Sequence, residues 1–146
     1  MIMAAVDSNK EAASRLGVAP PVLLGVTVLT SFVSHDLVSV GVKGPVDEQV
    51  LRLAEVSELS GLDGVVCSAH ELQRLRGMCS NHFKLVVPGI RPRGSDSNDQ
   101  KRIVTPSEAI EAGADFLVIG RPITKALNIG KAAKDISMEV EKALES

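Results

Sequence analysis

The stretch KLVVPGIRPRGSDSNDQKRIVTPSEAI (84–110) contains one whole strand–loop–helix unit, and its reading decides the fold. It opens on an apolar run rich in β-branched residues, as a buried strand does. It closes on Thr105, Pro106 and Glu108. A hydroxyl residue, a proline at the first helical position and a carboxylate three residues on form a box that starts a helix. Between them, residues 90–104 are crowded with Gly, Pro, Ser, Asp, Asn, Lys and Arg. Connections of that length are uncommon in compact domains and are usually either functional or disordered.

Similar units recur on either side. VLLGVTVLT (22–30), GVVCS (64–68) and FLVIG (116–120) are further apolar runs. None shows clear period-two alternation, which predicts parallel strands buried on both faces. Helical patterns lie between them. Residues 46–60 place Val50, Leu51, Leu53, Ala54 and Leu59 on roughly one face, with Gly61 as the stop. Ser68 and Glu71 form a second box opening SAHELQRLR, with Gly77 as its stop, and Gly113 stops the helix begun at Thr105. Asn128 to Leu144 is an amphipathic helix.

The units also resemble one another. GLDGVV (61–66) and GADFLVIG (113–120) share a helix-stop glycine, an aspartate and then a strand. LVVPGIR (85–91) and LVIGR (117–121) share a strand, a glycine and an arginine just past the strand's end. Alternating strands and helices predict an α/β protein with right-handed crossovers, and repeated short βα units suit a (β/α) barrel better than an open sheet. A complete eight-unit barrel takes about 250 residues. This chain has 146, and four strands predict half a barrel.

Composition narrows the partners. The chain is 45% hydrophobic and 23% charged, a globular balance, but only 2% aromatic with no Trp or Tyr. It therefore lacks a platform on which nucleic-acid bases stack. Its net charge of −2 argues against a broad electrostatic grip on DNA or RNA. Cys67 and Cys79 have no metal-ligand spacing and form no disulfide framework, which fits a reducing, cytoplasmic setting. The most apolar stretch, Val18 to Leu29, is broken by Pro20, Pro21 and Gly25 and is too short to span a bilayer. MIMAAVDSNK lacks the pattern of a signal peptide. A cytoplasmic protein without nucleic-acid or membrane partners is expected.

In α/β proteins ligands gather at the carboxyl ends of the strands. Thr27 and Thr30 lie at the first such end, Ser68 at the second, Arg91 beyond the third, and Gly120 with Arg121 beyond the fourth. Gly120-Arg121-Pro122 precedes a short helical turn. A glycine admits a ligand to the backbone, helix-start N–H groups favour an anion, and arginine adds a bidentate fork, so Arg91 and Arg121 suit a phosphate dianion. A surface salt bridge is the competing reading of the Gly-Arg pair. His35, His70 and His82 are isolated from Cys or acidic partners at ligand spacing, which predicts surface or capping roles and no metal site. Cys67, inside an apolar run, reads as a small core residue.

The order of these pieces carries more than composition does. VTVLTS, GLDGVVCSA, FKLVVPGIRPRGSDSNDQKRI followed by TP, and GAD-x-LVIGRPI closely resemble the orotidine 5′-phosphate decarboxylase family, from about Pro21 to the C-terminus. The resemblance implies a (β/α)8 barrel of the ribulose-phosphate-binding type, a carboxy-lyase of UMP biosynthesis without metal or cofactor, and a family homodimer. It also implies roles. Thr30 would hydrogen-bond the amide edge of the pyrimidine. Arg91 would hold the phosphate, and Gln100 would bridge phosphate and base. Gly120 and Arg121 would bind the same phosphate, and Ile90 to Arg102 would close over the nucleotide as a lid.

The family's catalytic signature is D-x-K-x-x-D on an early strand, and no such string occurs here. Asp99-Gln100-Lys101 continues to Val104. The resemblance therefore places this chain in the C-terminal half of the barrel, strands five to eight. It is read as one partial domain over 1–146, in which residues 1–20 are the remnant of the helix before strand five and 21–146 resemble the family. Phosphate and base contacts are expected, catalytic residues are not, and the exposed half barrel is expected to self-associate. A non-catalytic phosphate- or nucleotide-binding half barrel and a truncated product without independent function are the alternatives.

Overall fold

Each of the four apolar runs becomes a strand of one parallel sheet, paired with the next in the chain. In the computed structural model, which describes residues 1–92 and 104–145, β1 (Leu24–Val26), β2 (Gly64–Val66), β3 (Lys84–Pro88) and β4 (Phe116–Val118) stand in the order β1-β2-β3-β4. A doubly wound sheet reverses its strand order and carries helices on both faces. Here the order never reverses, and the helices pack on one face. They are α1 (Ile2–Leu16), α2 (Ser34–Ser39), α3 (Val46–Leu59), α4 (Leu72–Met78), α5 (Pro106–Glu111), α6 (Arg121–Thr124) and α7 (Ile129–Leu144).

The register explains which side chains form the core. Gly25, Val65 and Leu85 are aligned across β1, β2 and β3, and Val87 with Leu117 across β3 and β4. Val65, Leu85 and Val87 are completely buried, packed with Val50 and Ala54 of α3, Leu72 and Leu75 of α4, and Ala109 of α5. The alternate set points the other way. Leu24 is 38% exposed, Val26 62%, Phe116 54% and Val118 52%. The expectation of strands buried on both faces is thus corrected. One face is covered by helices, and the other, the interior side of a barrel wall, is apolar yet open. On that side Gly64 and Val86, on the two middle strands, are buried, and Lys84 is half-buried.

The helix punctuation follows the sequence closely. Thr105 Oγ1 accepts the N–H of Glu108 at 3.3 Å, and the Glu108 carboxylate accepts the N–H of Thr105 at 2.8 Å. The box at Ser68 forms in the same way, with the Ser68 N–H donating to Glu71 at 2.9 Å, and opens a short 3-10 turn (Ala69–Glu71) before α4. Gly77 does not stop α4, which runs on to Met78. The chain leaves the helix only where Cys79 turns inward to be buried. α2 is an element that the apolar pattern does not predict. Its start is set by Asp36, whose carboxylate accepts the Val33 N–H at 2.8 Å.

The amino-terminal end of the sheet is held by a polar knot. Arg76 donates through Nε to the Gly113 carbonyl and through Nη1 to the Phe83 carbonyl, each at 2.8 Å, and pairs with Asp115. Lys84 Nζ lies 3.3 Å from the same carboxylate. Among the described residues, no helix is long and apolar enough to cross a membrane.

Candidate functional site

The carboxyl ends of β1, β2 and β3 open onto one cleft of about 620 Å³. Thr30, Ser31 and Ser34 line it from the segment after β1, Ser68 and His70 from the segment after β2, and Pro88 to Ile90 from the end of β3. Each wall has a local cause. Thr27 donates both its N–H, at 3.2 Å, and its hydroxyl, at 3.0 Å, to the Val66 carbonyl. That double bond to β2 fixes where the chain leaves β1 and hence where Thr30 stands. Gly89 adopts φ 80°, a left-handed turn that glycine makes without strain, and redirects the chain as it leaves β3. Ile90, fully buried, anchors the exit.

Arg91 comes next and is only 5% exposed. Its N–H donates to the Val104 carbonyl at 3.1 Å, so the two ends of the long connection are tied together at their root. Its guanidinium donates to the Ile90 carbonyl at 3.1 Å. Gln100 and most of the expected lid lie outside the described residues.

Gly120 and Arg121 stand at the exit of β4. Gly120 caps α6 and Arg121 is its first residue, partly buried. Neither lines the cleft, which brings Thr30 together with Ser68 and His70. The two arginines are related through the register instead. Pro88 pairs with Val118, and Arg91 and Arg121 each follow three residues beyond that pair, past the exits of adjacent strands.

The cleft wall is mixed, with Phe32, Val33, Val46, Ile90 and Val104 among its polar groups. Hydroxyls and one imidazole line it, and among its described lining residues there is neither a carboxylate nor a lysine. Behind the wall, burial pushes the Glu71 carboxyl above its ordinary value, against the lowering effect of the Ser68 N–H that it accepts. Burial likewise pushes the Cys67 thiol up to about 12, and Cys67 is the core residue the sequence predicts. His35 and His82 are exposed and do not line the cleft. His70 is exposed as predicted but also forms part of the cleft wall. Ser31, Ser34 and His70 went unread as site residues. The available signal was position: His70 follows closely on the end of β2, where ligand-facing groups collect.

A singly wound parallel sheet with helices on one side, an open apolar face on the other and a cleft at the carboxyl ends of its strands defines half of a (β/α) barrel. The family model for orotidine 5′-phosphate decarboxylase / HUMPS matches residues 1–136, and the chain belongs to that family. It is 50% identical over 140 residues to the orotidine 5′-phosphate decarboxylase of Paramagnetospirillum magneticum, covering 96% of this chain and 60% of the relative. With that of Shewanella sediminis it shares 53% identity over 124 residues, covering 85% and 53%. The crystal structure of orotidine 5′-phosphate decarboxylase from Lactobacillus acidophilus superimposes with a TM-score of 0.80 at 38% identity, over 96% of this chain and 58% of that one. The chain thus spans roughly three fifths of the length of the curated relatives it matches.

Proposed function

We propose that this chain is the strand-five-to-eight half of an orotidine 5′-phosphate decarboxylase barrel, one partial domain in which α1 is the helix before the fifth strand. In this reading it binds the nucleotide without decarboxylating it alone. Thr30 takes the pyrimidine's amide edge in the cleft. Arg91, Gly120 and Arg121 take the phosphate, and Gln100 bridges the two when Ile90 to Arg102 closes. The observation that carries the reading is that Arg91 and Arg121 follow the exits of the adjacent strands β3 and β4, β3 also ending in the cleft whose wall includes Thr30. Two guanidinium forks and the N–H groups at the start of α6 are the donor set a phosphate dianion requires.

The phosphate lies far from the bond that breaks, so its binding energy serves to close the lid, exclude water and orient the base. The chemical step needs more. A lysine must protonate the carbanion left when CO₂ departs, and flanking aspartates must destabilise the substrate carboxylate. In the family those groups belong to D-x-K-x-x-D, which is not in this sequence. In a complete barrel they would face this cleft from the opposite wall. No metal or cofactor enters the reading, and the setting is cytoplasmic.

Titration calorimetry with UMP, uridine and inorganic phosphate tests the site, and incubation with orotidine 5′-phosphate tests the chemistry. UMP is expected to bind weakly, uridine hardly at all, and no UMP is expected to form above background. Equal binding of UMP and uridine would refute the phosphate site. Turnover at an enzyme-like rate by a contaminant-free preparation would refute the assignment of the catalytic groups to residues outside this chain.

A further inference from the structure

We infer that His70 reads the base of the nucleotide, its imidazole N–H donating to a ring carbonyl of the pyrimidine beside Thr30. This role rests on the nucleotide reading proposed above for the identity of the ligand.

Strand order places His70 between the two ends of that ligand. Thr30 stands beyond β1, Arg91 beyond β3 and Gly120 with Arg121 beyond β4, and β2 lies between β1 and β3. A ligand that reaches from Thr30 to the proposed phosphate donors therefore crosses the exit of β2. Adjacent strands are about 4.8 Å apart, a distance that one pyrimidine ring spans, so the ring comes first and the sugar lies beyond it. Val26 pairs with Val66, and Thr30 and His70 each follow four residues beyond that pair. Both line the same cleft. With β1 on one side of β2 and β3 on the other, this part of the wall is built from three paired strands of the chain itself.

The wall suits a base better than a sugar. Phe32, Val33, Val46, Ile90 and Val104 supply apolar surface, with the hydroxyls and the imidazole set among them. A pyrimidine joins apolar faces to a polar rim and matches such a mixture, whereas a ribose carries hydroxyls around its ring. The rim of uracil presents two carbonyls and one ring N–H, so it needs more donors than acceptors. A carboxylate, which only accepts, is missing from the described lining residues, and a neutral imidazole always keeps one N–H to donate. The turn that carries His70 is fixed by its own bonds. The His70 N–H donates to Ser68 Oγ at 3.4 Å, the Ser68 N–H to the Glu71 carboxylate at 2.9 Å, and the Glu71 N–H to the Ser68 carbonyl at 3.1 Å. His70 itself is exposed, so substitution there alters the cleft and leaves the core intact.

The imidazole proton shifts of the full chain, titrated with UMP and with ribose 5-phosphate, are the test. UMP is expected to move the His70 resonances and ribose 5-phosphate to leave them in place. His35 and His82, which do not line the cleft, should respond to neither. His70→Ala should weaken UMP by roughly threefold to tenfold, the loss of one neutral hydrogen bond, and should leave ribose 5-phosphate binding unchanged. His70→Gln keeps a donor and should retain most of the affinity; a loss equal to that of His70→Ala would overturn the hydrogen bond. Shifts as large with ribose 5-phosphate as with UMP would put His70 on the sugar or the phosphate and overturn the base contact. UMP binding to His70→Ala as tight as to wild type would overturn it too. Failure of the wild type to bind UMP would overturn the nucleotide reading as well, whereas UMP binding with unmoved His70 resonances would overturn this role alone.

Discussion

Asp115 holds β3 with the same pair of bonds by which Asp63 holds the start of β1. The Asp63 N–H donates to the Leu23 carbonyl at 3.0 Å while its carboxylate accepts the Leu23 N–H at 2.7 Å. The Asp115 N–H donates to the Leu85 carbonyl at 2.9 Å while its carboxylate accepts the Leu85 N–H at 2.8 Å. Both aspartates follow a glycine that ends the preceding helix turn with positive φ, Gly61 at 84° and Gly113 at 102°. The Gly-x-Asp repeat in the sequence is therefore one structural device used twice, at the amino-terminal end of the sheet where a barrel keeps its stabilising contacts.

The two copies of the device differ in burden. Asp115 also accepts from Arg76 and Lys84, whereas Asp63 is exposed. Asp115→Ala leaves Nη2 of the partly buried Arg76 guanidinium and the Leu85 N–H without their acceptor. It should destabilise the fold by about 2 kcal/mol. Asp63→Ala should cost distinctly less. Urea unfolding monitored by circular dichroism checks both, and equal effects would contradict the ranking.

The same carboxylate predicts an acid sensitivity. Burial alone would raise the Asp115 pKa, but the Leu85 N–H, Arg76 and Lys84 together bring it below the ordinary carboxylate value of 3.8. A group depressed in the folded state contributes stability that is present above its unfolded pKa and is lost as pH falls through the folded one. Wild type should therefore lose this contribution below about pH 4. The stability difference between wild type and Asp115→Ala should shrink over the same range. A difference that stays constant from pH 7 to pH 3 would show that the ion pair does not set it.

Cys67 and Cys79 should be inert in the folded protein. Burial pushes their thiols up to about 12 and about 11 respectively, so almost no thiolate exists at pH 8. Neither should react with iodoacetamide until urea unfolds the chain, when both should react together. Rapid modification of Cys67 under native conditions would mean that the sheet opens locally at β2.

The fold was legible where one local rule acts alone. The capping boxes at Ser68 and Thr105 and the stops at Gly61 and Gly113 are set by neighbours within a few residues, and they form as read. The alternation of the strands was hidden because both faces are apolar. Val65 and Val66 look alike in sequence, and only the sheet decides that one meets α3 while the other faces the barrel interior. Gly77 was misread because a glycine with helical dihedrals is no stop, and burial of Cys79 decides where α4 ends. Thr30, singled out by its motif, stands in the cleft wall. Ser31, Ser34 and His70 were not singled out, since their common cleft arises from the convergence of separate strand ends.

The proposed phosphate site can be probed at Gly120 without a steric clash. At Gly64 an added Cβ would lie 2.7 Å from the Lys84 side chain, and alanine there would break the sheet. At Gly120 an added Cβ meets nothing within 4 Å, while φ −102° with ψ −93° lies outside the broad regions that side-chain-bearing residues favour. Gly120→Ala should therefore keep the fold but melt somewhat below wild type. If a phosphate approaches the backbone at the start of α6, the new methyl occupies that approach, and UMP binding should weaken by roughly tenfold, the loss of about one charge-assisted hydrogen bond. Arg121→Ala removes the fork as well and should weaken UMP by roughly tenfold to a hundredfold. Gln100→Ala should weaken it less than Arg121→Ala, because a neutral amide contributes less to an anion than a charged guanidinium fork does. Arg91→Ala is a poorer probe, since its buried side chain also supports the root of the long connection. Calorimetric titration of UMP into the wild type and the Gly120, Arg121 and Gln100 variants, with melting curves alongside, separates binding from folding. UMP binding as tight in Gly120→Ala and Arg121→Ala as in wild type would place the phosphate elsewhere.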